Sequence, residues 1–215
     1  MKHDTGPAYQ GRVKYSESKA ISYQTVKEGK NRAELRLVER AFRLVPIGSV
    51  LDVPCGGGRV SLLLAGKGYQ MTAADLSEPM RLIAKEKFKE AGLTIPVNAE
   101  DVENLGCKNS AFDAIICFRL FHHFPDPIIR QRVVMELCRV SRRYVVLSYF
   151  SPHSVTSLHR RWRTARGGRK SQKHSTPLGE VERYFDAAGF KLLKNFARFR
   201  FIHTLHLAVF QREDS

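Results

Sequence analysis

A chain of 215 residues is long enough for one well-packed domain and short for two. With 43% of its residues hydrophobic, disorder as the main state is excluded, and no stretch nears the roughly 18 consecutive apolar residues of a membrane-spanning helix. Thirty-six Lys and Arg against 21 Asp and Glu leave +15, which favours an anionic companion (RNA, a phosphorylated metabolite or an acidic membrane surface) without separating the three.

Residues 1–30 read as a polar tail running into a short helix. The opening Met1-Lys2-His3-Asp4-Thr5-Gly6 lacks the apolar core of a secretory signal. Cys55, Cys107, Cys117 and Cys138 form no C-x-x-C pair, so buried free thiols are expected, with no metal site. A cytoplasmic location follows, with peripheral contact at a membrane surface left open by the charge.

From Asn31 the pattern sharpens. Asn31 is placed to cap, Glu34 follows three residues later, and Leu35, Val38, Phe42 and Val45 recur at helical spacing until Pro46 and Gly48. Strands are predicted at 49–53, 70–75, 94–98, 112–118 and 143–150. Helices fall between them, over 59–65, from Ser77 to Ala91 and from Asp126-Pro127 to Val140. Thr176-Pro177 opens a last helix that closes at Gly189. Strands near 190–198 and 201–211 are joined too tightly for a helical crossover and should form a hairpin. The expected fold is therefore α/β, a doubly wound, mostly parallel seven-stranded sheet ending in an antiparallel hairpin.

In such a sheet a ligand lies outside the carboxyl ends of the strands. The first loop there is Asp52-Val53-Pro54-Cys55-Gly56-Gly57-Gly58-Arg59, whose glycines permit close approach and positive φ. Alone, a glycine cluster is a weak signal that also suits a tight turn with no ligand. Asp75 strengthens it, 19 residues after Gly56, where a carboxylate reaches ribose hydroxyls. Its other reading, capping the next turn, is set aside because Ser77 supplies a cap. Glu100-Asp101-Val102 offers a carboxylate and an apolar face suited to adenine.

Dinucleotide binding wants G-x-G-x-x-G, and here Ser61 stands where the last glycine belongs. The run from Val50 to Arg59 instead resembles motif I of class I S-adenosylmethionine-dependent methyltransferases. Ala74-Asp75-Leu76-Ser77-Glu78-Pro79-Met80 resembles motif II, and Asn98-Ala99-Glu100-Asp101 the acidic third loop. Phe112 to Phe118, with Phe121-His122-His123-Phe124-Pro125-Asp126 after it, completes a likeness to the UbiE-like group over residues 31–150. Pro54 departs from the usual glycine, which puts the left-handed positions on Gly56 to Gly58.

The resemblance implies a Rossmann-like methyltransferase domain over 31–215 with S-adenosylmethionine as cofactor. It assigns Asp52 to organising the loop, through a water-mediated link to the cofactor's amino group, beside the turn at Pro54. Gly56 and Gly58 make room for the methionine and ribose parts, Asp75 holds the ribose, and Leu76 and Met80 pack on the adenine. Asp101 meets the exocyclic amine, Val102 lies on the ring face, and Phe118 sits beside the methionine portion. Arg32 is a lesser candidate for the cofactor carboxylate.

Methyl transfer from a sulfonium needs mainly alignment, with a base only for a protonated acceptor. His122 and His123 are the candidate bases, against a reading in which one is packed and the other solvated. The Asn-Pro-Pro-aromatic motif of many exocyclic-amine methyltransferases is missing after strand four. His203 and His206 fall on opposite faces of a strand, which argues against a metal.

Residues 151–175 form a basic insert in the place of an acceptor lid. Arg160, Arg161, Trp162, Arg163 and Arg166 are its candidate acceptor-binding residues, since Trp162 is costly to leave in water. A solvated insert is the plainer alternative. An anionic small molecule or phosphorylated lipid or glycolipid is the expected acceptor. The alternatives are RNA methylation and a non-catalytic module that grips RNA or lipid.

Overall fold

The computed structural model describes residues 28–152, 162, 166, 173–197 and 204–213. Helix α1 spans Glu28–Phe42, so Asn31 lies inside it instead of capping it. Strand β1 (Ser49–Asp52) leads to α2 (Arg59–Ala65), β2 (Gln70–Ala74) to α3 (Glu78–Glu90), and β3 (Val97–Asn98) through a loop to β4 (Phe112–Cys117). A 3-10 turn, Phe121–His123, precedes α4 (Pro127–Val140), which runs directly into β5 (Ser141–Phe150). Helix α5 (Leu178–Asp186) and strands β6 (Phe190–Ala197) and β7 (Leu205–Arg212) complete the described residues.

The strands form one sheet in the order β3-β2-β1-β4-β5-β7-β6. The first five run parallel, and β7 lies antiparallel between β5 and β6, as the hairpin expectation required. Alternate residues of the central strands are buried on opposite faces, because helices cover both. Val50, Ala114, Ile116 and Val146 meet α1 and α2, while Leu51, Ile115, Val145 and Leu147 meet α4 and α5. Helix α3 packs on the first of these faces through Ala84 and Phe88 against Ala73.

Three expected boundaries shift for local reasons. Strand β3 is only two residues long because Pro96 has no N–H to pair, although its carbonyl accepts from the Ala73 N–H at 2.9 Å. Strand β5 begins at Ser141, without the loop expected before Arg143. At the last helix Pro177 holds the cap position, and the buried Thr176 hydroxyl makes no hydrogen bond. Asp126 does cap α4, accepting from the Ile128 N–H at 2.7 Å.

The turn after α1 is closed from β2's side. The Tyr69 hydroxyl lies 2.9 Å from the Phe42 carbonyl and 2.7 Å from that of Val45, so its single proton bridges the two, and the Phe42 carbonyl also accepts from the Val45 N–H at 3.2 Å. Its ring meets Phe42 edge-on at 5.2 Å. Tyr69→Phe should therefore lower unfolding free energy by about 1–2 kcal/mol, since a buried acceptor loses its donor. Urea titration checks this, and an unchanged midpoint would remove the hydroxyl from the account.

Candidate functional site

Strand order reverses between β1 and β4, and the crevice outside their carboxyl ends is where an open α/β sheet accepts a ligand. The glycine loop follows β1. Its Cys55 N–H reaches the Ala74 carbonyl at 2.8 Å, and the Gly58 N–H reaches the Cys55 carbonyl at 3.0 Å. Left-handed backbone falls on Gly56 (φ +52°) and Gly58 (φ +78°), two of the three glycines, and the Val53-Pro54 peptide is cis.

These two glycines have different surroundings. A Cβ on Gly56 would meet nothing within 4 Å, so that side of the loop is open. A Cβ on Gly58 would stand 2.5 Å from the Phe88 ring, so its bareness lets α3 pack close to the loop.

Two buried carboxylates flank the loop. Asp52 accepts from the Ser61 hydroxyl through Oδ2 at 2.7 Å, while its Oδ1 is buried with no hydrogen-bond partner. Burial, reinforced by the neighbouring Asp75 charge, pushes its carboxyl up to about 7. Asp75 binds the Gly56 N–H through Oδ2 and the Ser77 N–H through Oδ1, each at 2.8 Å. Burial raises the Asp75 carboxyl too, and these two bonds oppose the rise. The Ser77 hydroxyl, expected to cap α3, makes no hydrogen bond; Asp75 takes the Ser77 amide and so joins two loops. Beside it Leu76 is 49% exposed, whereas Met80 is buried.

In the third loop Asp101 accepts from the Glu103 N–H at 3.0 Å, and its carbonyl accepts from the Asn104 N–H at 2.9 Å. Val102 is buried against Leu105. Beyond β4, Phe118 is buried with the Arg59 guanidinium 5.4 Å from its ring centre.

An ion cluster here went unread in the sequence. Glu34 on α1 binds Arg59 at 2.8 Å and Arg119 at 2.9 Å, and is itself buried. Arg119 has φ +64°, an uncommon value for a side-chain-bearing residue, and its N–H meets the Ser148 hydroxyl at 2.5 Å. Glu34 had been read as the acidic member of a helix cap, whereas its carboxylate holds two distant arginines. Arg32 is exposed.

Both candidate bases are buried, so neither is solvated. Their rings lie 4.2 Å apart, and His122 stacks flat on Phe150 at 3.9 Å. The chain returning from the basic insert docks here, with the His174 N–H on the His122 carbonyl at 2.8 Å and the Thr176 N–H on that of Phe150 at 2.7 Å. Of the insert's candidates, Arg160, Arg161 and Arg163 lie outside the described residues. Trp162 is 52% exposed, with the Arg166 guanidinium 3.8 Å over its ring, so the cation shields part of an indole that was expected to need burial. His203 also lies outside the described residues, and His206 is buried with Nδ1 3.2 Å from the Asn195 amide. Among the described residues no group of His, Cys, Asp and Glu is arranged to hold a metal, and no helix is long and apolar enough to cross a membrane.

The fit to S-adenosylmethionine rests on three of these observations. Gly56 borders open space, Asp52 keeps a buried oxygen able to accept from an ammonium or a bridging water, and Asp75 stands at the second strand's end. Comparison with known proteins agrees. Residues 50–143 match the methyltransferase domain family. A ubiquinone biosynthesis O-methyltransferase of Xanthomonas axonopodis pv. citri is 38% identical over 107 residues, 49% of this chain and 45% of that protein. One of Coxiella burnetii is 37% identical over 97 residues, 45% of this chain and 41% of that protein. The chain thus spans less than half the length of these curated relatives.

Among solved structures, magnesium protoporphyrin IX methyltransferase from Synechocystis PCC 6803, with bound S-adenosylhomocysteine, superposes with a TM-score of 0.75. It is 18% identical, over 95% of this chain and 96% of that one. The PH0226 protein from Pyrococcus horikoshii OT3 gives 0.74 at 19% identity, over 93% and 100%. These two likenesses establish the fold. Residues 50–143, within the stretch that carries the ordered motifs, resemble the methyltransferase domain that class I S-adenosylmethionine-dependent methyltransferases share.

Proposed function

We propose that this chain transfers the methyl group of S-adenosylmethionine to an oxygen of a small acceptor bearing an anionic group. The observation that carries the donor half is the meeting of Gly56, Asp75 and the partnerless Asp52 oxygen at the sheet's reversal point. Oxygen as acceptor atom is supported by the relatives, which are named O-methyltransferases. None of them is named for RNA, and the small-molecule reading is preferred over it. The anionic group is supported by the +15 charge and by the arginines of the insert.

When bound, S-adenosylmethionine supplies a methyl carbon already activated by its sulfonium. The protein's part is then to bind, orient and exclude water. Asp75 accepts from the ribose hydroxyls while keeping its bonds to Gly56 and Ser77, because each carboxylate oxygen can accept more than once. The exposed Leu76 would offer an apolar surface to the adenine, with Val102 and Asp101 of the third loop to meet its ring and its amine. Phe118 borders the methionine portion, and Arg119, fixed by Glu34 and Ser148, shapes the same edge. The buried His122 ring is a packing support for Phe150, and the His122 backbone carbonyl holds the chain returning from the insert.

Asp75→Ala should weaken S-adenosylhomocysteine binding by about 1.5–3 kcal/mol, since charge-assisted hydrogen bonds to two hydroxyls disappear. Calorimetry reads this, with NAD as a ligand expected not to bind; an unchanged affinity would remove Asp75 from the ribose.

Asp52 gives the site a pH dependence of definite sign. Its carboxyl stands near 7 in the fold, against about 4 in an unfolded chain, so the fold favours the protonated form. Its penalty to stability accordingly grows as pH rises from about 4 to about 7. The cofactor's ammonium favours the ionised form instead. Affinity for S-adenosylhomocysteine should rise with pH through about 7, with a proton released on binding, and Asp52→Asn should abolish that slope. Calorimetry in buffers of different ionisation enthalpy counts the proton, and a slope that survives in Asp52→Asn would assign it elsewhere.

The His pair separates base from scaffold. A base would lower turnover by roughly 10²–10⁴ with cofactor affinity intact. For His122→Gln we expect turnover within a few-fold of the parent, with a lower melting temperature, because a stacked pair is disturbed. Turnover followed by isotope-labelled methyl transfer to an acceptor found in a cell extract decides between them.

A further inference from the structure

The loop between β3 and β4 carries Asp101 and Val102, yet it has almost no regular structure of its own. It is held from outside by α4. Every N–H of the Arg139 guanidinium fork points to a partner: Nε and Nη2 to the Glu136 carboxylate at 2.9 and 2.8 Å, Nη2 also to the Leu105 carbonyl at 2.8 Å, and Nη1 to the Cys107 carbonyl at 2.8 Å and the Asn109 side chain at 2.9 Å. The Glu136 Oε2 then accepts from the Leu105 N–H at 2.9 Å, so both backbone groups of Leu105 are bound to one ion pair. The Arg139 carbonyl adds the Ser110 N–H at 2.8 Å.

Leu105 passes this restraint to the adenine-facing residues. It is buried beside Val102, and the turn just before it is closed by the Asp101 carboxylate on the Glu103 N–H and the Asp101 carbonyl on the Asn104 N–H. A turn tied at 101 and 104, and pinned at 105, cannot swing without breaking bonds to Arg139. The strength of the pairing is reflected in the carboxyl of Glu136, held below the usual range chiefly by its hydrogen bond from Arg139.

We infer that Arg139, with Glu136, is a positioning residue for adenine recognition: it fixes the loop that sets Asp101 against the exocyclic amine. This rests on the donor-site reading above. Its specific content is that base discrimination, and not merely stability, depends on a side chain of α4 that touches no ligand. A planar five-donor fork is required, so lysine should not substitute.

The test uses the full chain and two ligands, S-adenosylhomocysteine and its 6-oxo analogue S-inosylhomocysteine, which lacks the exocyclic amine. The parent should prefer the adenine form by about tenfold or more, the size of one hydrogen bond to a charged group. Arg139→Gln and Arg139→Lys should both reduce that preference to about twofold or less, roughly the loss of the same bond. Tyr69→Phe, destabilised far from the loop, should keep the full preference, which separates discrimination from stability. A lysine variant with the parent's preference would reduce Arg139 to a structural ion pair and overturn the inference, as would a Gln variant that still discriminates. A parent chain that binds both ligands equally would instead overturn the assignment of Asp101, and one that binds neither would overturn the donor site.

Discussion

The crevice outside the carboxyl ends of β1 and β2 depends on a carboxylate kept buried by backbone amides. Asp75 draws one N–H from the glycine loop and one from the start of α3, and these two bonds fix the separation of the first two loops. A buried charge without such donors would neutralise itself or find water. Here the backbone supplies them, one from Gly56 in its left-handed turn and one from Ser77. Asp52, behind the same loop, is bonded by Ser61, and burial outweighs that bonding, with its carboxyl shifted toward neutrality. Two carboxylates in one crevice therefore differ in electrostatic state because their donors differ.

Around that crevice the molecule uses arginines as struts. Arg119 and Arg59 converge on Glu34 and join α1 to the edge of β4 and the start of α2. Arg139 binds the third loop to α4, and Arg130 joins α4 to α5 through Glu180 at 2.9 Å. Arg212 reaches from β7 to the carbonyls of Cys138 and Ser141 at the end of α4. Part of the arginine content is thus partly buried framework, largely balanced by its own carboxylates. The guanidinium suits this use because it remains charged and can serve several carbonyls at once.

The sheet, its order of elements and the three loops were legible in the sequence, because strand and helix periods alternate cleanly and the glycine cluster falls where a strand meets a helix. Boundaries were less so. Pro96 shortens β3 by lacking an N–H, a local effect that an apolar run conceals. Ser77 looked like the cap, but the side chain that reaches the amide is Asp75, two residues earlier. Glu34 looked like a capping residue because its true partners are 25 and 85 positions away. Burial of both members of the His pair was equally out of reach, since Phe150 and the segment at 173–176 come to them only in three dimensions.

Helix α4 ends at Val140 and β5 starts at Ser141, with no residue between them. Helix and strand are therefore geared together. One inserted residue would either turn the helix by about 100° or exchange the two faces of the strand. The helix sets Arg139 against the loop between β3 and β4, while the strand delivers Ser148 to Arg119 and Phe150 to His122. The contacts of Arg139 and those of Ser148 and Phe150 share one rigid shaft, so a change of length at this joint would disturb both at once.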